Sequence, residues 1–331
     1  MGKSFKKLFL SVLSLCISLI LFGTVVFAWL SINTTSILHN ISIGIATGDD
    51  FEISLDGINY KKEILNEDFQ KYLTKLALID VTSSDGINFY KGGPSNQKIA
   101  IANVDYLKIS IYFRTTAKPT ADPKTVLRHV FLVDNVSSEA YLNKDIDGTY
   151  IISKGINWQA DITFLNGLDP INDIIYVGER RVVYAAEAIR LSFQEKPLTG
   201  TSDERKEDAL ASKIFDLSRH PERGYGVSFG SLDYYNKKHG KNIKAPAEPQ
   251  NVITTLTKFN ETDPRFPNDY NSLIASMIKT DKYNEQGDVY YEAKVDMMLW
   301  LEGWDADCFN AIHYDKITMK LKFRVGREIL N

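Results

Sequence analysis

The residues best suited to chemistry lie in one run, Leu299-Trp300-Leu301-Glu302-Gly303-Trp304-Asp305-Ala306-Asp307-Cys308-Phe309-Asn310. Glu302, Asp305, Asp307 and Asn310 put three carboxylates and an amide on one turn, the hard oxygen donors that Ca2+ prefers. His313, five residues after Cys308, would complete a softer metal site. The competing reading is an acidic strand-to-loop corner whose carboxylates cap backbone amides while Trp300 and Trp304 pack over an edge. A second group is aromatic. Tyr225, Phe229, Tyr234 and Tyr235 could offer ring platforms to a glycan or small ligand, or could simply hold their segment down.

Catalytic patterns are missing. The five histidines (His39, His129, His220, His239 and His313) form no His-Glu-x-x-His, and the chain has no Gly-x-Ser-x-Gly elbow, phosphate loop or Rossmann glycine pattern. Asn143 to Gly148 opens like a calcium loop, but its twelfth position is Lys154 where a bidentate Glu is needed, so it reads as a plain Asp-Gly turn. The expectation is a protein that is not an enzyme. Cys308 reads as a small buried apolar residue.

The elements that must position these residues are strands. Leu107, Ile109, Ile111 and Phe113 alternate with Lys108, Ser110 and Arg114; Ile317, Met319, Leu321, Phe323 and Val325 alternate with Thr318, Lys320, Lys322 and Arg324. From Val289 to Leu301 every second residue is apolar or aromatic. Period two gives strands with one dry and one wet face, as in antiparallel sheets. Further strands are expected at 41–45, 51–55, 130–133, 158–164, 174–176 and 188–193. Asp56-Gly57, Asp85-Gly86, Asp147-Gly148 and Gln286-Gly287 supply the turns between them. The fold class predicted is mainly β, an antiparallel sandwich of jelly-roll type with added helices.

One added helix is expected over 62–78, where apolar residues recur near helical spacing. Another is expected from the Thr201/Glu204 capping box to about Leu217. Residues from about 196 to 286 read as a polar insertion, and no internal repeat stands out.

Ahead of the domain, Leu8 to Leu30 is 23 residues without a charge, preceded by Lys3, Lys6 and Lys7. As a helix it would reach about 34 Å, enough for a bilayer, with the N-terminus cytoplasmic and the remainder outside. The expected layout is a basic tip at 1–7, a transmembrane or signal helix at 8–30, and an extracellular domain at 31–331. Val26-Phe27-Ala28 followed by Trp29 also fits a signal-peptide junction, so cleavage between Ala28 and Trp29 stays open, although the length favours retention. Setting the three lysines aside leaves 36 basic against 42 acidic residues, a net −6, which argues against nucleic acid as a partner. The two cysteines, Cys16 and Cys308, fall in different compartments, so no internal disulfide is expected.

Three segments carry a resemblance. Phe27-Ala28-Trp29-Leu30-Ser31 is similar to the run closing the export segment of TasA/camelysin-like surface proteins of low-GC Gram-positive bacteria. The Ala188-Ile189-Arg190-Leu191-Ser192-Phe193 strand and the Leu299 to Cys308 run resemble segments of related exported proteins of unknown role. The resemblance covers about a fifth of the chain. It implies a jelly-roll-like sandwich on the outer surface, and a matrix-fibre subunit as one role. The protease activity attributed to camelysins does not carry over, because no zinc motif is present.

Together these readings predict a cell-surface protein anchored in the membrane through residues 8–30, with partners in self-association or the cell envelope. The alternatives are a secreted fibre subunit assembling by strand donation from 29–47, and a glycan-binding module.

Overall fold

The alternating segments form the strands expected of them. A computed structural model describes residues 35–46, 51–92, 97–119, 126–201, 203–206, 210, 212–247, 249 and 251–329. The expected membrane span at 8–30 and the Ala28/Trp29 junction lie outside the described residues. Among the described residues no helix is long and apolar enough to cross a membrane.

Two long strands organise the domain. Val289–Glu302 pairs antiparallel with Leu107–Ala117 on one edge and with Ile189–Lys196 on the other. Ser212–Phe215 and then Val252–Ile253 extend that second edge, and Ile278–Tyr283 continues it. Lys316–Ile329 is flanked by Thr35–Ile45 on one side and by Tyr150–Ser153 and Val126–Leu132 on the other. Leu78–Thr82 joins the two groups, pairing with Leu301 and Glu302 and with Thr35 and Ser36. The result is one curled, mixed sheet of 16 strands.

The strand faces follow the period-two reading. Leu107, Ile109, Ile111, Phe113, Val295, Met297, Leu299, Ile317, Met319, Leu321 and Phe323 all belong to one continuous apolar core. Ile41 and Ile43 are fully buried in that core, opposite Met319 and Leu321. The described part of the segment considered for strand donation therefore fills a place in its own chain's sheet.

Four expectations need correction. The sheet is mixed, not antiparallel: Thr35–Ile45 runs parallel to Lys316–Ile329, and Leu78–Thr82 runs parallel to the end of Val289–Glu302. These partners lie far apart along the chain, so no hairpin forces them antiparallel. The helix at 62–78 shrinks to a turn of 3-10 helix, Asn66–Phe69, and one α turn, Gln70–Leu73, between strands Glu63–Ile64 and Leu78–Thr82. Pairing of Ile64 with Ile43 and of Leu78 with Ser36 takes both ends of the apolar pattern for the sheet. Likewise, among the described residues of 201–217 there is no helix, and Ser212–Phe215 is a strand. Asp203 accepts the Leu198 and Arg205 amides and pairs with the Arg205 guanidinium, so this loop caps itself. Finally, residues 196–286 are not set apart from the sheet. They supply strands Ser212–Phe215, Leu273–Ser276 and Ile278–Tyr283 and one helix, Ser231–His239.

The structure also contains a local repeat that pattern reading missed. Ser54 to Tyr60 reads Ser-Leu-Asp-Gly-Ile-Asn-Tyr and Ser83 to Phe89 reads Ser-Ser-Asp-Gly-Ile-Asn-Phe. In both, the aspartate Oδ1 accepts the amides two and three residues on, and its Oδ2 accepts the asparagine Nδ2. In both, the serine Oγ accepts the glycine amide, at 3.0 and 2.9 Å.

Candidate functional site

The acidic corner is a frame. Glu302 is buried; one of its oxygens accepts Trp300 Nε1 at 2.9 Å and the other accepts the Trp304 amide at 3.1 Å. Asp305, also buried, accepts the Asp307 amide with Oδ1 and pairs through Oδ2 with Arg190 at 2.5 Å. Arg190 reaches Asp216 as well, at 2.9 Å, from a strand position that is itself buried. Asp307 takes the Arg223 guanidinium in two bonds, at 3.0 and 2.7 Å, while Arg223 also donates to the Asn166 carbonyl.

One buried guanidinium thus faces Asp216 and Asp305, with Glu302 close enough to feel its field. Burial pushes the Glu302 carboxyl up, and burial pushes Asp305 up further despite Arg190. A single cation cannot offset the desolvation of several carboxylates. Gly224 lies against this cluster: a Cβ there would sit 2.8 Å from Arg190 Nη2.

Three of the four calcium candidates are therefore engaged singly, and the side-chain oxygen of the fourth, Asn310, is buried without a hydrogen-bond partner. Glu302, Asp305 and Asp307 are taken up by amides, an indole and arginines, and Asn310 lies at the start of a short 3-10 turn. Among the described residues no group of three or more His, Cys, Asp or Glu side chains is placed to hold a metal ion. His313 lies edge-on to the Tyr314 ring, and the thiol of buried Cys308 is pushed up by burial and by the carboxylates of Asp80, Asp305 and Glu302.

What the frame positions is Trp304. Beside it lies a cavity of about 380 Å³, open on one side, with the rings of Tyr90, Tyr225 and Trp304 in its wall. Ser84 and Gln97 contribute a hydroxyl and an amide, Lys244 an ammonium, and Pro246 a small apolar surface, while Thr82 lines the wall with its hydroxyl buried. The lining comes from four places in the chain, each fixed for its own reason. Thr82 ends the strand that pairs with Glu302, and Ser84 sits inside the second Ser-x-Asp-Gly-Ile-Asn turn. Tyr90 begins a short strand paired antiparallel with Thr82. Trp304 follows Gly303, whose amide donates to Val81. Tyr225 follows Gly224 at the Arg190 cluster, and burial raises its phenol pKa against a hydrogen bond with Thr82.

Under this rim lies a second apolar cluster, on the face of Val289–Glu302 expected to be wet. Val81, Phe89, Tyr106, Met298 and Trp300 pack there, with Phe89 stacked on Tyr106 and edge-on to Trp300. The last third of that strand is buried on both faces. Period two read only one face, because Met298, Trp300 and Glu302 interleave with Leu299 and Leu301.

The aromatic group separates in the same way. Tyr225 lines the cavity. Phe229 is buried under Arg223, and Tyr234 is buried among Trp158, Phe164 and Phe309. Tyr235, the next residue on the helix, points about 100° away and lies against His239. Tyr90, Trp304, Thr82, Ser84, Gln97 and Lys244 were not picked out from sequence as ligand-binding. The available signal was Trp304 itself, an aromatic held between two acidic residues that the fold uses as braces.

A second polar constellation was also hidden. His129 Nδ1 lies 3.0 Å from Ser276 Oγ and its Nε2 lies 3.0 Å from Glu328, between the rings of Phe131 and Tyr270. The Ser276 amide donates to Glu195 and the Met277 amide to the Arg128 carbonyl, so neither is turned to where an oxyanion would form. Burial lowers the His129 pKa, with Glu328 opposing. The group ties the last strand to its neighbours.

Fold and site together describe a mainly β protein carrying one aromatic, hydroxyl-lined cavity braced by buried ion pairs. No family model, no curated protein and no solved structure matches the chain. The resemblance to TasA/camelysin-like proteins rests on the short segments that carry it.

Proposed function

We propose that this chain is a non-enzymatic surface protein, held at the membrane by residues 8–30, whose β domain, a sandwich in this reading, captures a saccharide of the cell envelope. The observation that carries the binding role is the cavity: three rings beside the Ser84 hydroxyl, the Gln97 amide and one ammonium. Its volume lies within the range of small-ligand sites. Pyranose rings present apolar C–H faces and equatorial hydroxyls, so flat aromatic walls with interleaved hydroxyl and amide groups suit them. Strand donation has less support, because Ile41 and Ile43 already fill the chain's own core.

The test uses the full chain in a zwitterionic detergent free of sugar headgroups. Oligosaccharides are added while tryptophan emission is followed, then affinities are measured by calorimetry. Binding is expected with micromolar to millimolar Kd and a loss of at least about tenfold in Trp304→Ala, the worth of about 1.4 kcal/mol of ring contact. Equal binding by Trp304→Ala would refute the assignment of the cavity.

A further inference from the structure

We infer that the saccharide is acidic: the cavity takes a pyranose bearing a carboxylate, with Lys244 as its counter-ion and the Tyr90, Tyr225 and Trp304 rings against its face. This rests on the saccharide-binding reading above. It adds the charge class of the ligand.

The argument is electrostatic. The chain carries a net −3, yet among the described residues that line the cavity the one formal charge is the positive charge of Lys244. Three acidic residues near the wall in sequence, Glu302, Asp85 and Asp305, are engaged by other groups. Glu302, two residues before Trp304, is spent on the Trp300 indole and the Trp304 amide. Asp85, next to Ser84, is spent on its own turn through Ile87 and Asn88. Asp305, next to Trp304, is paired with Arg190. These three carboxylates are engaged by groups outside the cavity, and the wall offers the Ser84 hydroxyl, the Gln97 amide and the Lys244 ammonium to the ligand.

Lys244 itself is exposed and has no ion-pair partner among the described residues. Its segment is pinned nonetheless. Asn236 of the helix bonds both the amide and the carbonyl of Ile243, at 2.8 and 2.9 Å, which fixes the backbone one residue away. A cation on a held backbone, at the edge of a cavity of aromatic and hydroxyl groups, can serve a sugar carboxylate by a charge-assisted hydrogen bond. A neutral sugar would leave it unused.

The experiment compares three probes on the full chain in the same sugar-free detergent: an oligohexuronate, the neutral oligohexose of matching linkage, and a glycerol-phosphate oligomer. Variants are Lys244→Met and Trp304→Ala, and calorimetry is run at low and high salt. The oligohexuronate is expected to bind about tenfold tighter than the neutral oligomer, and Lys244→Met should remove that margin. Added salt should weaken the oligohexuronate alone. Equal binding of both saccharides, unaffected by Lys244→Met, overturns the inference and leaves saccharide capture standing. Glycerol phosphate binding as tightly as the oligohexuronate and indifferent to Trp304→Ala overturns it too, by showing that charge and not a ring face is read. If no saccharide binds, both readings fall together.

Discussion

Ser54 to Tyr60 and Ser83 to Phe89 are nearly the same seven residues folded into the same hydrogen-bonded turn, and only the second borders a site. In the first copy the tip is exposed, with Ile58 78% accessible, and Gly57 faces the Tyr112 ring. In the second copy Gly86 is buried against Ser192 and Ile214, and its carbonyl accepts Ser192 Oγ at 2.7 Å. The following residue, Tyr60 or Phe89, also differs in use: Tyr60 lies under Arg114, while Phe89 anchors the cluster beneath Trp300. Local sequence sets the turn; what the turn packs on decides whether it holds Ser84 and Tyr90 over a cavity.

The sharpest way to break the comparison is at the glycines. Both have positive φ, +73° at Gly57 and +69° at Gly86, so an alanine at either costs about 1 kcal/mol from the backbone alone. At Gly57 the new Cβ meets the Tyr112 ring at 3.1 Å, and a ring can swing. At Gly86 it meets Ser192 Cβ at 2.8 Å on a paired interior strand, which cannot. Gly86→Ala should lose about 2–4 kcal/mol and Gly57→Ala about 1 kcal/mol in denaturant unfolding. Equal losses would mean that the packing difference has no energetic weight.

A smaller effect is expected three residues ahead of each turn. Phe51 occupies that place in the first copy, fully buried in the core; Asp80 occupies it in the second. Burial raises the Asp80 carboxyl to about 6. A carboxyl with a raised pKa holds its proton longer in the folded state, so stability falls as pH climbs from about 4 to about 6 and stays reduced above. Asp80→Asn should therefore stabilise the protein at pH 7–8, by up to about 3 kcal/mol, and change little at pH 4. Thermal melts across that range decide it, and a gain that does not depend on pH would remove the burial argument.

The same contrast explains what the sequence disclosed. The long strands were legible because a core on one side imposes period two, and Leu107 to Phe113 and Ile317 to Val325 obey it. Regions buried on both sides were not. Glu302 looked like a surface carboxylate because a charge in an apolar strand is read as wet, yet it is covered and satisfied by Trp300 and Trp304. Arg190, flanked by Ile189 and Leu191, was the visible hint of a buried ion-pair cluster. The Thr201/Glu204 box failed because the Thr201 hydroxyl donates to the Leu198 carbonyl and accepts the Asp203 amide, while Asp203 holds the Arg205 amide and guanidinium. The cavity was least legible, since Thr82, Tyr225, Lys244 and Trp304 meet only through the mixed pairing of distant strands.

The smallest and most specific test is at the two aspartates. Asp56 is held well below the usual carboxylate range by the Asn59 amide, then by the Asn59 side chain and the Ile58 amide. Partial burial works against ionisation of Asp85, but bonds from Asn88 and Ile87 outweigh it, and its pKa too is lowered. A depressed carboxylate contributes stability above about pH 4 that disappears as pH falls through its folded value. The pH signs of the two turns are thus alike, and Asp56→Ala and Asp85→Ala should both flatten the acid limb of the stability curve. Asp85→Ala should lose about 1 kcal/mol at neutral pH, the worth of its turn's hydrogen bonds. It should also weaken saccharide binding by displacing Ser84 and Tyr90. Asp56→Ala should leave that affinity at the wild-type value, because no residue of its turn lines the cavity. A matching loss of affinity in Asp56→Ala would show that the turns are coupled through the sheet, and the functional difference between them would no longer hold.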